Sequence, residues 1–191
     1  MISPYKSQLQ NKINQLLIVA LLAGLTISPG IAYASSSVAC ADIDFKDLRS
    51  LQFGFLRIRR GVTGWAVVDA SGGAKVSPGI AFSNRFPPSP GAVQVTGPPN
   101  TEVLMGIYLT GNTSLGPLTM DQPMALTENG MFALKRVGQF WSVRLPNSDR
   151  ETVSIDIAIG GQLIIQNVEK KWEISTKIVT QCISARLVPP P

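Results

Sequence analysis

Residues 153–165 read Val-Ser-Ile-Asp-Ile-Ala-Ile-Gly-Gly-Gln-Leu-Ile-Ile. Val153, Ile155, Ile157 and Ile159 alternate with Ser154, Asp156 and Ala158, the two-residue period of a strand with one apolar face. Gly160-Gly161 follows, then the apolar run Leu163-Ile164-Ile165, the pattern of two strands joined by a tight turn into a hairpin. The same period holds upstream. Val103, Met105, Ile107 and Leu109 oppose Glu102, Leu104, Gly106, Tyr108 and Thr110, and that run is expected to end at Gly111-Asn112. Downstream, Trp172, Ile174, Thr176, Ile178, Thr180 and Cys182 share a face opposite Glu173, Ser175, Lys177, Val179 and Gln181.

Almost no stretch of the chain after residue 50 carries the apolar spacing of a surface helix over three turns, so it reads as all-β. Further strands are expected at 51–58, 64–68, 92–96, 117–126 or 132–134, and 140–145. Ser71-Gly72-Gly73, Phe86-Pro87-Pro88-Ser89-Pro90 and Gly97-Pro98-Pro99-Asn100 read as turns, because proline donates no ladder hydrogen bond. Short strands without helical crossovers describe a sandwich or barrel better than a βαβ unit.

The chain has 191 residues, and the first 34 have the three parts of a secretory signal. Lys6 and Lys12 lie in a polar start, residues 16–27 are apolar, and Ala32-Tyr33-Ala34 offers a cleavage site. The apolar core falls short of the roughly 20 residues a transmembrane helix needs, and Pro29-Gly30 stops it from lengthening. Cleavage after Ala34 would leave roughly 157 residues, a size suited to one domain. The expected organisation is a signal peptide at 1–34, a sandwich at 35–184 and an extended tail at 185–191. Losing Lys6 and Lys12 lowers the net charge from +5 to +3, which no longer implies a nucleic-acid partner. Arg57-Ile58-Arg59-Arg60 is the one compact basic cluster and reads as a solvated strand end.

Two cysteines, Cys40 and Cys182, stand near the ends of the mature chain, 182 − 40 = 142 residues apart. An even pair in an exported chain points to a disulfide, with two separate buried thiols as the alternative. No CxxC motif supports a redox role.

Histidine is absent from the whole sequence, which removes Ser-His-Asp and Cys-His centres and the commonest catalytic zinc ligand. The carboxylates Asp42, Asp44, Asp121, Asp156, Glu169 and Glu173 read as solvated strand or turn residues, Asp42 and Asp44 forming the polar face of the first strand. The chain therefore reads as no enzyme and without a cofactor or metal. Trp65 and Trp172 read as core residues, while Trp141, whose neighbours alternate less cleanly, is the better candidate for an exposed contact.

In order along the chain, Leu51-x-Phe53-Gly54, Gly64-Trp65-Ala66-Val67-Val68 with Ser71-Gly72-Gly73, Ala92-Val93-Gln94-Val95-Thr96-Gly97-Pro98, Gly160-Gly161-Gln162-Leu163 and the strand at 172–179 form a pattern. This pattern resembles the DUF4402 family, exported bacterial domains of unknown function in the style of pilus subunits. Val93 stands where that family more often has an aromatic, and Ile174 near where it often has glycine. With the resemblance, the fold expected is a single β-sandwich, immunoglobulin-like or pilin-like, in the periplasm or at the cell surface, and no enzyme is implied. Only five residues, Ser35 to Ala39, would precede Cys40 in the mature chain, too few for a donated strand of the pilus type. The expected role is a non-catalytic structural protein of the envelope or surface, associating with itself or with an envelope protein. The alternative is an adhesion module for a glycan, a host surface or a protein. No transmembrane anchor is expected in the mature chain.

Overall fold

The computed structural model describes residues 37–113, 116–166 and 174–189. Its strands, in chain order, are β1 (Ser37–Val38), β2 (Asp44–Arg49), β3 (Leu56–Ile58), β4 (Gly64–Val68) and β5 (Ala74–Val76). Next come β6 (Ile80–Phe82), β7 (Gly91–Gly97), β8 (Thr101–Thr113), β9 (Leu118–Met120), β10 (Met124–Thr127) and β11 (Gly130–Ala133). The last are β12 (Lys135–Val137), β13 (Phe140–Arg144), β14 (Val153–Ile159), β15 (Gly161–Ile165) and β16 (Ile174–Leu187). A 3-10 turn, Cys40–Asp42, is the one helical element among the described residues. The domain is all-β and sandwich-like, as its periodicity predicts.

Every pairing among these strands is antiparallel, in four sheets. The first runs β1-β16-β8-β13-β12 and the second β11-β10-β14-β7-β2. They face each other across one core: Val103, Met105 and Ile107 of β8 meet Ile155, Ile157 and Ile159 of β14, joined by Val93, Val95, Val143 and Trp141. These are the alternating positions read from sequence, and each buried isoleucine or valine contributes roughly 1.5–3 kcal/mol. At both lateral edges the chain steps from one sheet to the other. Cys40–Asp42 carries it from β1 to β2, and the buried Leu134 carries it from β11 to β12.

The third sheet runs β5-β4-β15-β9, and β3 pairs with β6 in a fourth. Their core holds Leu51, Phe53, Leu56, Ala66, Val68, Ile80, Leu163 and Ile165. Leu109 of β8 touches both cores and makes them continuous.

Several expectations are corrected. Gly160-Gly161 is not a hairpin turn: β14 pairs with β7 and β10, whereas β15 pairs with β4 and β9. Neither glycine takes the positive φ that the tight hairpin turns demand. They are glycines because the chain changes sheet in close quarters. A Cβ at Gly160 would lie 2.5 Å from the Val68 carbonyl oxygen, and one at Gly161 would lie 2.7 Å from Leu51 Cδ2. The expected strand at 51–58 shrinks to β3, with an isolated bridge from Gln52 to Ser89. Its partner segment contains Pro87, Pro88 and Pro90, which cannot sustain a ladder. Asp42 belongs to the 3-10 turn, and the following strand starts at Asp44. The run beginning at Thr101 passes through Gly111-Asn112 to Thr113. Residues 185–187, assigned to the tail, are the end of β16 and pair with Val103, Glu102 and Thr101.

A bulge between Cys182 and Ser184 makes that pairing productive. One extra residue reverses which parity faces inward, so Ile178 is buried before the bulge and Ala185 after it, while Ile183 is exposed.

Candidate functional site

Cys40 and Cys182 are bonded, with Cα atoms 5.7 Å apart, inside the span a disulfide bridges. The bond ties β16 to the turn where the chain crosses between the facing sheets.

The tryptophans exchange roles. Trp141, expected as an exposed contact, lies on β13 between β8 and β12 and is only 8% exposed. The Arg136 guanidinium sits 5.7 Å from its ring centroid. Trp65, expected in the core, is 36% exposed. On β4 the inward positions are Ala66 and Val68, so Trp65 and Val67 face out. The signal that places it outside is Asp69, which continues the parity of Trp65 and Val67. Trp172 lies outside the described residues.

Around Trp65 the outer face of the third sheet forms a shallow groove of about 330 Å³. Backbone register sets its floor: Lys75 pairs with Val67, Val67 with Gln162, and Gln162 with Thr119, one side chain from each of the four strands. Asp69 and Asp121 line the groove as well. Past Met120 and Asp121 a second depression of about 370 Å³ continues it to Gln122, Gln139, Arg136 and Trp141. Trp65 is held at both ends of its peptide unit. Its N–H donates to Ser77 Oγ at 3.0 Å, and its carbonyl accepts the Ser77 N–H at 3.0 Å.

A second candidate is the β11 edge. All four residues, Gly130-Met131-Phe132-Ala133, are exposed and uncharged, and among the described residues β11 pairs with β10 alone. Met131 is 36% and Phe132 46% exposed, and Leu126, the cross-strand partner of Met131, is exposed beside them. A broad cleft of about 830 Å³ runs beside this hairpin, lined by Leu126, Phe132, Pro146, Glu128, Arg144 and Asp156, among others. The Asp156 carboxylate accepts a hydrogen bond from Gln94 Nε2 at 3.0 Å.

Of the other carboxylates, Glu102 stands out. Hydrogen bonds from Arg186 and Ser142 hold its carboxyl below the usual carboxylate range. Arg57, Arg59 and Arg60 are exposed at the end of β3, as the solvated reading expects. Glu169 and Glu173 lie outside the described residues. Among the described residues, no three of His, Cys, Asp and Glu come together to hold a metal ion. No helix among them is long and apolar enough to cross a membrane. Compared with family models, curated proteins and solved structures, the chain finds no match.

Proposed function

We propose that this chain is an exported, non-catalytic structural domain of the cell envelope or cell surface that associates with a second copy of itself along β11. The edge carries the proposal. Soluble β proteins protect free edges with charges, prolines or bulges, and β11 has none of these while presenting Met131 and Phe132. An antiparallel pair of identical edges would set Met131 of one copy opposite Phe132 of the other and cover both. A twofold axis makes such a contact self-complementary.

The signal-like first 34 residues and the disulfide support export, since structural disulfides persist in oxidising compartments. Ser37 and Val38 pair with Arg186 and Ala185 of their own chain, which supports a pilin-like sandwich that keeps its first strand instead of donating it. The order of the motifs along the chain supports a place in the DUF4402 family.

The test is the oligomeric state of the chain purified from its own envelope fraction, followed by sedimentation across a concentration series. A concentration-dependent dimer or larger assembly is expected, and Met131→Lys with Phe132→Lys should abolish it while leaving the melting temperature unchanged. A monomer at every concentration, or an assembly indifferent to the two lysines, overturns the proposal.

A further inference from the structure

We propose that the outer face of the third sheet binds an uncharged saccharide, with one sugar ring lying on the Trp65 indole. The hydroxyls are held by Lys75, Gln162, Thr119, Asp69 and Asp121. Three observations converge on this face, and none of them involves the β11 edge.

First, Trp65 is an exposed aromatic carried on an anchored stretch of backbone. Its peptide unit is clamped on both sides by Ser77, and Ser77 is itself 8% exposed. The backbone beneath the indole is thus anchored, and less main-chain freedom is lost when a ligand settles there. The C–H-rich face of a pyranose is the surface that matches a flat indole face, and Val67 extends the apolar floor beside it.

Second, the polar groups around the indole are of mixed kind. The Gln162 amide both donates and accepts; the Thr119 hydroxyl, which donates to the Gln162 carbonyl at 3.4 Å, is left to accept; Lys75 only donates, and the two carboxylates only accept. A ligand built of hydroxyls can satisfy all of them at once. A polyanion would meet Asp69 and Asp121, and a lipid tail would leave Lys75, Asp69, Asp121 and the Gln162 amide without partners. Among the described residues neither carboxylate nor Lys75 takes part in an ion pair, so these groups are not already neutralised by one another.

Third, two depressions adjoin at Met120 and Asp121, room for more than one ring. Depressions of about 330 and 370 Å³ stand at the lower end of the roughly 300–1,000 Å³ range of small-ligand sites, and Met120 and Asp121 line both. The second carries Gln122, Gln139 and Arg136, again donors and acceptors together.

The test titrates the intact chain with neutral hexasaccharides of glucose, mannose and galactose, and with heparin as a polyanion, read by calorimetry and tryptophan fluorescence. At least one neutral hexasaccharide should bind. Trp65→Ala should weaken it by at least about tenfold, with Trp65→Phe retaining most of the affinity. Gln162→Ala, which keeps the indole, should weaken it severalfold and serves if the tryptophan variant fails to fold. Three results each overturn the proposal: no neutral sugar binding at millimolar concentration, heparin binding more tightly than every neutral sugar, or binding indifferent to both Trp65→Ala and Gln162→Ala. The oligomeric state of Trp65→Ala should match that of the parent, so failure here is distinct from failure of the β11 proposal.

Discussion

Gly64 and Ser77 occupy the same space: a Cβ built on Gly64 would lie 1.9 Å from Ser77 Oγ. That oxygen accepts the N–H of Trp65, the next residue, so a missing side chain at 64 allows the hydroxyl that fixes residue 65. The φ of Gly64 is not in the left-handed region, and the demand for glycine is one of space.

Gly64→Ala should therefore push the Ser77 hydroxyl away and leave the part-buried Trp65 N–H without its partner, destabilising the domain by roughly 1–3 kcal/mol. Ser77→Ala removes the same bond. Because both act on one contact, the double variant should cost less than the two single costs added together, a coupling that a denaturant double-mutant cycle measures. Full additivity would mean that Gly64 serves something other than the Ser77 hydroxyl.

Trp141 and Trp65 should respond oppositely to truncation. Trp141 packs in the main core, so Trp141→Ala should cost about 3–5 kcal/mol. Trp65 is on an outer face, and Trp65→Ala should cost about 1 kcal/mol or less. Unfolding midpoints in urea at unchanged slope decide between them, and equal losses would reverse the assignment of faces.

These two residues also mark how far the sequence carries. Alternation at 103–109 and 153–159 names the core positions correctly, because a two-residue period leaves one choice when one face is all aliphatic. At 65–68 both parities are apolar, and the larger pair, Trp65 with Val67, is the outer one. Only Asp69 reveals it. Gly160-Gly161 imitates a hairpin because a close sheet-to-sheet step and a tight turn both call for absent side chains. Strands of three residues, such as Ala74–Val76, Ile80–Phe82 and Lys135–Val137, are too short to show a period, so the fourth sheet and the edge of the first were not legible. The proposed sugar groove was hidden for the same reason: its floor is a cross-strand row, and register between strands distant in sequence is not written in any one of them.

The Cys40–Cys182 bond closes 142 residues. Chain entropy sets an upper value near 5 kcal/mol for such a loop, and removal of a native bridge of this kind costs about 2–5 kcal/mol. Replacing both cysteines with alanine should lower the denaturation midpoint accordingly, and adding reductant to the parent should reproduce the shift. An unchanged midpoint under both treatments would show that β1 and β16 hold the crossing turn without the bond.

Acid should weaken the join between β8 and β16 through Glu102. Its carboxylate accepts hydrogen bonds from Ser142 Oγ at 2.8 Å and Arg186 Nε at 2.8 Å, and these hold its pKa below the ordinary 4.5. A depressed carboxylate pKa contributes stability that is fully present above the unfolded value and is lost as pH falls through the folded one. The Arg186 side chain is 66% exposed, so solvent screening limits the pair to about 0.2–1 kcal/mol. Glu102→Gln should then cost this amount at neutral pH and nothing at pH values below the folded pKa, so the stability curves of variant and parent converge on acidification. Raising the salt concentration at neutral pH should narrow the same gap. Parallel curves across the acid range would mean that Glu102 acts through packing, with its charge playing no part.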